Sequence, residues 1–402
     1  MTQRERRLLW AIIALGSVVR IVLAFAAAGV TFDIDSFRLV GEALRHDPLH
    51  VYRLVNGGFI LGGAQAYHWP YPAGFFPWIL LTRELAGHTF LSFDGVIKLP
   101  AIAADAGLAW LVQDVIGRRG GSARARLAAA ALVALGPSFI AVSGYHGQID
   151  SVAILPAALA VVLWSRPGVQ RRAITCGLLI GLGAMVKTVP LVMLLALLPT
   201  ARRPREAATL SASAVALPLL ALAPFLVADQ HHVIHALRYG GAPGLGGLSL
   251  LVQPGLASNW LNATPLHLTS VSHELYDHGT VITGAALLGA TALLAYRRVE
   301  ALPAAVILWI TVYAFSANFF VQYLVWGLPF FLMAGYLRGV ALLEAVMVAP
   351  TVFAYGAPWK SHAVGVIYAV VLIALWLAWV AALLVTGRSV VRPRRPEVAQ
   401  PA

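Results

Sequence analysis

Two carboxylates two positions apart, Asp33 and Asp35, sit in the run Thr31-Phe-Asp-Ile-Asp-Ser-Phe37, directly after a long apolar stretch. The chain carries only 17 acidic residues in 402, and acids at a membrane boundary are costly enough to mark a functional site by default. One carboxylate there can take the proton of an attacking hydroxyl. A pair can also hold a divalent cation against a phosphate leaving group, which makes Asp33 and Asp35 the ligands if a cation is used. The plainer alternative is that one of them caps a helix beginning near Ser36.

Other polar groups fall at the ends of apolar runs. In Gly144-Tyr-His-Gly-Gln-Ile-Asp150, the side chains of His146, Gln148 and Asp150 could hydrogen-bond a sugar or a diphosphate; alternatively Asp150 only caps the next helix. Lys187, between Val186 and Thr188, is placed to neutralise a lipid phosphate as a point charge, or else to snorkel to headgroups. Gln322 and Tyr323 lie near the start of a late apolar run. Tyr67-His-Trp-Pro-Tyr-Pro72, which contains Tyr71, could shape an acceptor groove, although aromatics at this depth also serve as interfacial anchors. His231, His232, His235, His267, His273 and His278 crowd one segment. Their spacing matches no standard metal set beyond the weak His231/His232/His235 cluster, and one of them could instead touch a phosphate.

The elements that must position these groups are read from composition. The chain is 59% hydrophobic and 11% charged, with mean hydropathy +0.79, against roughly 25% charged in soluble domains. Repeated apolar runs near 20 residues imply an all-α polytopic membrane protein. The net charge of +12 does not indicate nucleic-acid binding, because the arginines gather in short loops and at the termini, the positive-inside pattern. The single cysteine, Cys176, excludes an internal disulfide. The stretch from Leu8 to Gly29 is too long for a signal-peptide core and reads as a retained first span.

Placing each basic loop inside predicts a bundle of about twelve spans with both termini cytoplasmic: 8–29, 94–116, 124–142, 150–164, 172–186, 187–200, 206–227, 280–296, 300–316, 318–337, 340–356 and 363–386. Residues 1–387 form one domain with two long outer loops, 30–93 and 228–279, and 388–402 is a basic cytoplasmic tail. Residues 71–86 do not fit as a span without inverting the later loops, so they are expected as an outer-face juxtamembrane or re-entrant helix. On this path the polar set converges on the outer face, together with 357–362.

Taken in order, FDIDSF at 32–37, Val51-Tyr52, YPAG at 71–74, KLPAIAAD at 98–105, GYHGQID at 144–150, VKTVP at 186–190 and NFFVQYLVWGLPF at 318–330 resemble the GT-C superfamily of polyprenyl-phosphate-sugar-dependent glycosyltransferases, nearest to the family 87 mannosyltransferase-like group. The Asp-Ile-Asp is also similar to that of the catalytic subunit of GPI mannosyltransferase I. The resemblance implies a GT-C-type bundle and an inverting transferase with a lipid-phosphate sugar donor, mannose foremost, a lipid or glycan acceptor, and a site facing away from the cytoplasm at the plasma membrane. It implies Asp33 as the base, with Asp35 as runner-up or second ligand. Ala73 departs from the family's second proline, and Phe319-Phe320 stands where many relatives have a lysine. A lipid or glycan transporter or flippase is the alternative; internal repeats and midplane polar residues would favour it, and the sequence has neither.

Overall fold

The computed structural model describes residues 1–56, 69–169, 171–239, 241, 246–257, 267–355 and 362–391. Parts of both long loops, Tyr67 and His68 of the aromatic segment, 357–361 and the tail from 392 lie outside the described residues. Among the described residues the chain is helical and has no strand.

The helices begin where local chemistry satisfies their free N–H groups. Helix α1 (Gln3–Ala26) opens with a capping box between Thr2 and Glu5. Its buried residues, Leu9, Ile13, Gly16, Arg20 and Ala24, form one stripe at helical spacing, while Trp10, Leu15, Val18 and Val22 are exposed on the other sides. Exposed apolar residues of this kind suit contact with lipid. Helices α2 (Thr31–His46), α3 (Val51–Asn56) and α4 (Phe76–His88) follow. Ser92 caps α5 (Phe93–Arg118) by accepting from Gly95 N, and Ser122 caps α6 (Ala123–Ala134) in the same way through Ala125 N. A short turn, α7 (Pro137–Phe139), runs into a π-helical segment, Ile140–His146. Helices α8 (Asp150–Trp164), α9 (Arg172–Ala184), α10 (Leu191–Leu197), α11 (Pro204–Leu237), α12 (Leu248–Val252), α13 (Ser270–Tyr296), α14 (Ala301–Phe315), α15 (Leu324–Ala334), α16 (Leu337–Tyr355) and α17 (His362–Val391) complete the order.

Among the described residues, seven helical stretches are long and apolar enough to cross a membrane: Gln3–Ala26, Phe93–Arg118, Ala123–His146, Pro204–Leu237, Ser270–Tyr296, Leu337–Tyr355 and His362–Arg388. The protein is therefore a polytopic membrane protein. Five shorter apolar helices, Asp150–Trp164, Arg172–Ala184, Leu191–Thr200, Ala301–Phe315 and Val321–Ala334, occupy the other stretches read as spans from the sequence.

The structure bears on three local expectations. Asp33 and Asp35 lie inside α2, which starts at Thr31 behind Val30, so neither caps a helix at Ser36. Residues 73–75 form a 3-10 turn leading into α4, whose 13 residues are not among the candidate spans. The segment expected as an outer loop over 228–279 is helical at both ends. Helix α11 runs on to Leu237 after a kink at Asp229, where φ −154° and ψ 65° leave the helical region. The kink has a chemical cause: the Asp229 carboxylate lies 3.5 Å from His232 N and 2.8 Å from its Nδ1, so it restarts the helix as a cap does. Helix α13 begins already at Ser270, capped by Thr269.

Two apolar clusters divide the interior. The larger joins α1, α5, α6, α8, α14 and α15. The smaller joins α2, α3, the 69–79 segment and one face of α11 around Leu222, Val233 and Ala236. Ile149, Ala153 and Val186 belong to the smaller cluster, whereas Ile154 and Ala157, one turn along α8, belong to the larger. The seam between them passes the N-terminal end of α8, where the polar residues collect.

Candidate active site

The seam is built around the turn 144–150. The π-helical segment ends at His146, and Gly147 then takes φ +94°, a left-handed conformation. Gly147 N and Gln148 N both donate to Val142 O, at 3.0 and 3.2 Å, closing the turn back on itself. The wide π geometry is a common device at functional sites because it re-aims a side chain without ending the helix. Here it turns His146 and Gln148 onto Asp33.

Asp33 is held at both oxygens. His146 Nε2 lies 2.6 Å from Oδ2, and Gln148 Nε2 donates to Oδ1 at 2.8 Å. His146 Nδ1 is buried without a hydrogen-bond partner, so the tautomer carrying its proton on Nε2 satisfies the ring best and donates to Asp33. The His146 ring packs on Tyr355, 4.6 Å between centroids, and Tyr355 Oη donates to Gln322 Oε1 at 2.8 Å. Asp33 keeps a quarter of its side chain exposed, while His146 is almost fully buried. The carboxylate is thus oriented and still reachable.

On the other flank Lys187 Nζ lies 2.5 Å from Asp150 Oδ1, with both side chains buried. The indole N–H of Trp326 donates to the same oxygen. Three ring faces surround the ammonium, Tyr71 at 4.9 Å, Trp326 at 5.3 Å and Tyr323 at 5.6 Å, as a cation–π cage. Tyr323 and Trp326 stack at 3.9 Å. Tyr71 links the two flanks, since its hydroxyl lies 3.5 Å from Gln148 Oε1 while its ring faces Lys187. Asp33 and Asp150 are both within electrostatic reach of Tyr71, Tyr323 and Tyr355.

The structure therefore joins Asp33, Tyr71, His146, Gln148, Asp150, Lys187, Gln322 and Tyr323 in one assembly. It does not bring Asp35, His231 and His232 into this assembly. Asp35 turns to Arg38, 2.7 Å away, and Arg38 also pairs with Asp94. Positions i and i+2 of a helix point apart, and each carboxylate is already engaged, so Asp33 and Asp35 do not fit a shared cation. Among the described residues no group of three or more His, Cys, Asp or Glu is arranged to hold a metal ion. His232 pairs with Asp229, and His231 faces a separate polar pocket of about 360 Å³ with Gln230, Ile234, His235 and Arg238. Lys187 does not snorkel, because Asp150 and the rings hold it inside.

Residues that sequence reasoning passed over are Trp326, Tyr355 and Lys98. Trp326 stood in a quoted stretch without a role. Tyr355 comes from a late helix with no motif around it. Lys98 is fully buried, donates to Ala27 O at 2.9 Å, and runs close enough to Gly29 and Gly147 that a Cβ on either would lie 3.2–3.3 Å from its side chain.

The geometry is matched by a family relationship. A model of glycosyltransferase family 87 matches residues 69–333, well over half of the chain. The chain belongs to glycosyltransferase family 87. Comparison with curated proteins finds no match. The family 87 region includes every site residue from Tyr71 to Trp326, and it begins after Asp33. Family membership makes the protein a membrane-embedded glycosyltransferase.

Proposed function

We propose that the protein transfers a sugar, mannose in the first instance, from a polyprenyl-phosphate donor to a lipid or glycan acceptor on the non-cytoplasmic face, with inversion and with Asp33 as base. The acceptor hydroxyl attacks the anomeric carbon opposite the phosphate. The bond from that carbon to the phosphate oxygen breaks, the lipid phosphate leaves, and the hydroxyl proton passes to Asp33. The Lys187 ammonium spends one N–H on Asp150. In the proposed reaction its other two donate to a phosphate whose charge grows as it leaves, and the low dielectric around the ring faces strengthens that attraction. Tyr71 touches both sides of the assembly, its hydroxyl 3.5 Å from Gln148 Oε1 beside Asp33 and its ring 4.9 Å from Lys187 Nζ, which supports base and phosphate partner serving one reaction. The polytopic fold suits a donor whose prenyl chain stays in the bilayer.

The observation that carries this reading is that a partly exposed carboxylate, held at both oxygens by His146 and Gln148, shares one assembly with a buried lysine in a family 87 protein. The test is transfer from labelled polyprenyl-phosphate mannose in membranes containing the protein. Asp33→Asn is expected to accumulate normally and lose at least about 100-fold in rate, the low end for a general base. Asp35→Asn is expected to retain transfer within a few-fold. Transfer that survives Asp33→Asn would overturn the assignment of the base. Transfer from glucose or arabinose donors alone would overturn only the sugar.

A further inference from the structure

The residues flanking the 144–150 turn converge on a single carboxylate that the mechanism above does not use. Ser143 immediately precedes the turn and Ser151 immediately follows it. Both hydroxyls lie 2.5 Å from Asp105, Ser143 at Oδ2 and Ser151 at Oδ1. One side chain from the middle of α5 thus holds both ends of the segment that carries His146, Gln148 and Asp150.

Asp105 is fixed in turn. Arg20, projecting from α1, lies 3.0 Å from Oδ2 through Nε, and the same Nε is 3.1 Å from Ser143 Oγ. The rest of the guanidinium is occupied by backbone carbonyls: Gly16 O at 3.0 Å, Val133 O at 2.8 Å, and Ala134 O. Arg20, Asp105, Ser143 and Ser151 are all at most 2% exposed. A Cβ on Gly144 would lie 3.1 Å from Arg20 Cα and Cγ, so the turn begins with a residue small enough to let α1 approach. A buried ion pair is weak evidence for stability, because desolvation offsets much of its attraction. Its retention in an apolar core calls for another reason, and the geometry supplies one.

We propose that Asp105 is a positioning residue which pins the two ends of the 144–150 turn through separate oxygens, so that the Ser143 side sets the His146–Asp33 contact and the Ser151 side sets the Asp150–Lys187 contact. The inference rests on the functional reading above. Ser143 is three residues from His146, within one turn of the π-helical segment, and Ser151 adjoins Asp150 in the first turn of α8. Loosening one end displaces one flank of the site and leaves the other in register. A carboxylate that only stabilised the fold would move both flanks together or neither.

The test is steady-state kinetics on Ser143→Ala and Ser151→Ala, each of which keeps the Arg20–Asp105 pair, with labelled polyprenyl-phosphate mannose and with thermal unfolding measured in parallel. Ser143→Ala is expected to lower kcat about tenfold, with donor KM unchanged. Ser151→Ala is expected to raise donor KM about tenfold with kcat little changed. The double variant Arg20→Met/Asp105→Leu removes both charges of the clamp at once, and is expected to combine both defects, with the parallel unfolding measurement reporting whether it folds. Equal losses in the two serine variants, or altered unfolding with unchanged kcat and KM, would overturn the proposal. Asp33→Asn is the control: if it transfers sugar normally, the functional reading fails, whereas if it is inactive and both serine variants are wild type, the clamp alone fails.

Discussion

Among the residues, the Lys187–Asp150 pair changes what the lysine can do. An isolated ammonium at a span end would be a simple phosphate anchor. Here Asp150, fully buried, is charge-balanced by Lys187, and its second oxygen has no hydrogen-bond partner. Lys187→Met would leave that carboxylate without a countercharge, at a cost of about 3–5 kcal/mol. The expected outcome is a large drop in unfolding temperature together with loss of transfer, which by itself does not separate folding from chemistry. Lys187→Met/Asp150→Leu removes both charges and is expected to recover most of the unfolding temperature and none of the transfer. Full transfer by this double variant would make the pair structural. Asp33 differs in kind, since a histidine and a glutamine side chain hold it and part of its surface stays open.

At the level of elements, the decisive piece is the π-helical segment and its exit at Gly147. An L-residue at φ +94° costs roughly 1–2 kcal/mol, and a Cβ at Gly147 would also sit 2.7 Å from Ile34 Cδ1, beside Asp33. Gly335 has a similar φ of +98° with nothing near its Cβ position. Gly147→Ala and Gly335→Ala are therefore both expected to lower the unfolding temperature, Gly147→Ala more because of the added clash, while only Gly147→Ala loses most of its transfer rate. Equal activities would show that the turn tolerates displacement. This element also marks the limit of what the sequence discloses. The polar run 144–150 was legible because it interrupts apolar spans, and the helix positions were legible from long hydrophobic stretches between arginine loops. The start of α2 was not, because Thr31-Phe-Asp-Ile-Asp supports both a cap and a first turn, and packing of Ile34 into the interior decides for the turn. The partners of Asp33 were not legible either, being 113 and 115 residues away. His231 and His232 drew attention by crowding, but Asp229 bends α11 and takes His232 for itself.

For the whole molecule, the direction in which the bundle sits determines whether the site can meet a donor presented outside. Helix α5 has 26 residues, about 39 Å at 1.5 Å per residue, more than the hydrocarbon thickness of about 30 Å. Its first turn holds Asp94, which pairs with Arg38 of the helix carrying Asp33, and its last turn ends at Arg118 in the basic loop. The site and that arginine loop therefore lie toward opposite ends of one long helix. If arginine retention sets topology, the loop before α5 faces outward. Phe90, 97% exposed in that loop, and Arg124, exposed at the start of α6, are the reporters. The native Cys176 is fully buried and gives little background. In intact cells a membrane-impermeant thiol reagent is expected to label Phe90→Cys, and to label Arg124→Cys only after the membrane is opened. The reverse pattern would put Asp33 and Lys187 on the cytoplasmic side, where an outward-facing lipid-phosphate donor could not reach them, and the proposed transfer would have to be abandoned even if every contact in the site were correct.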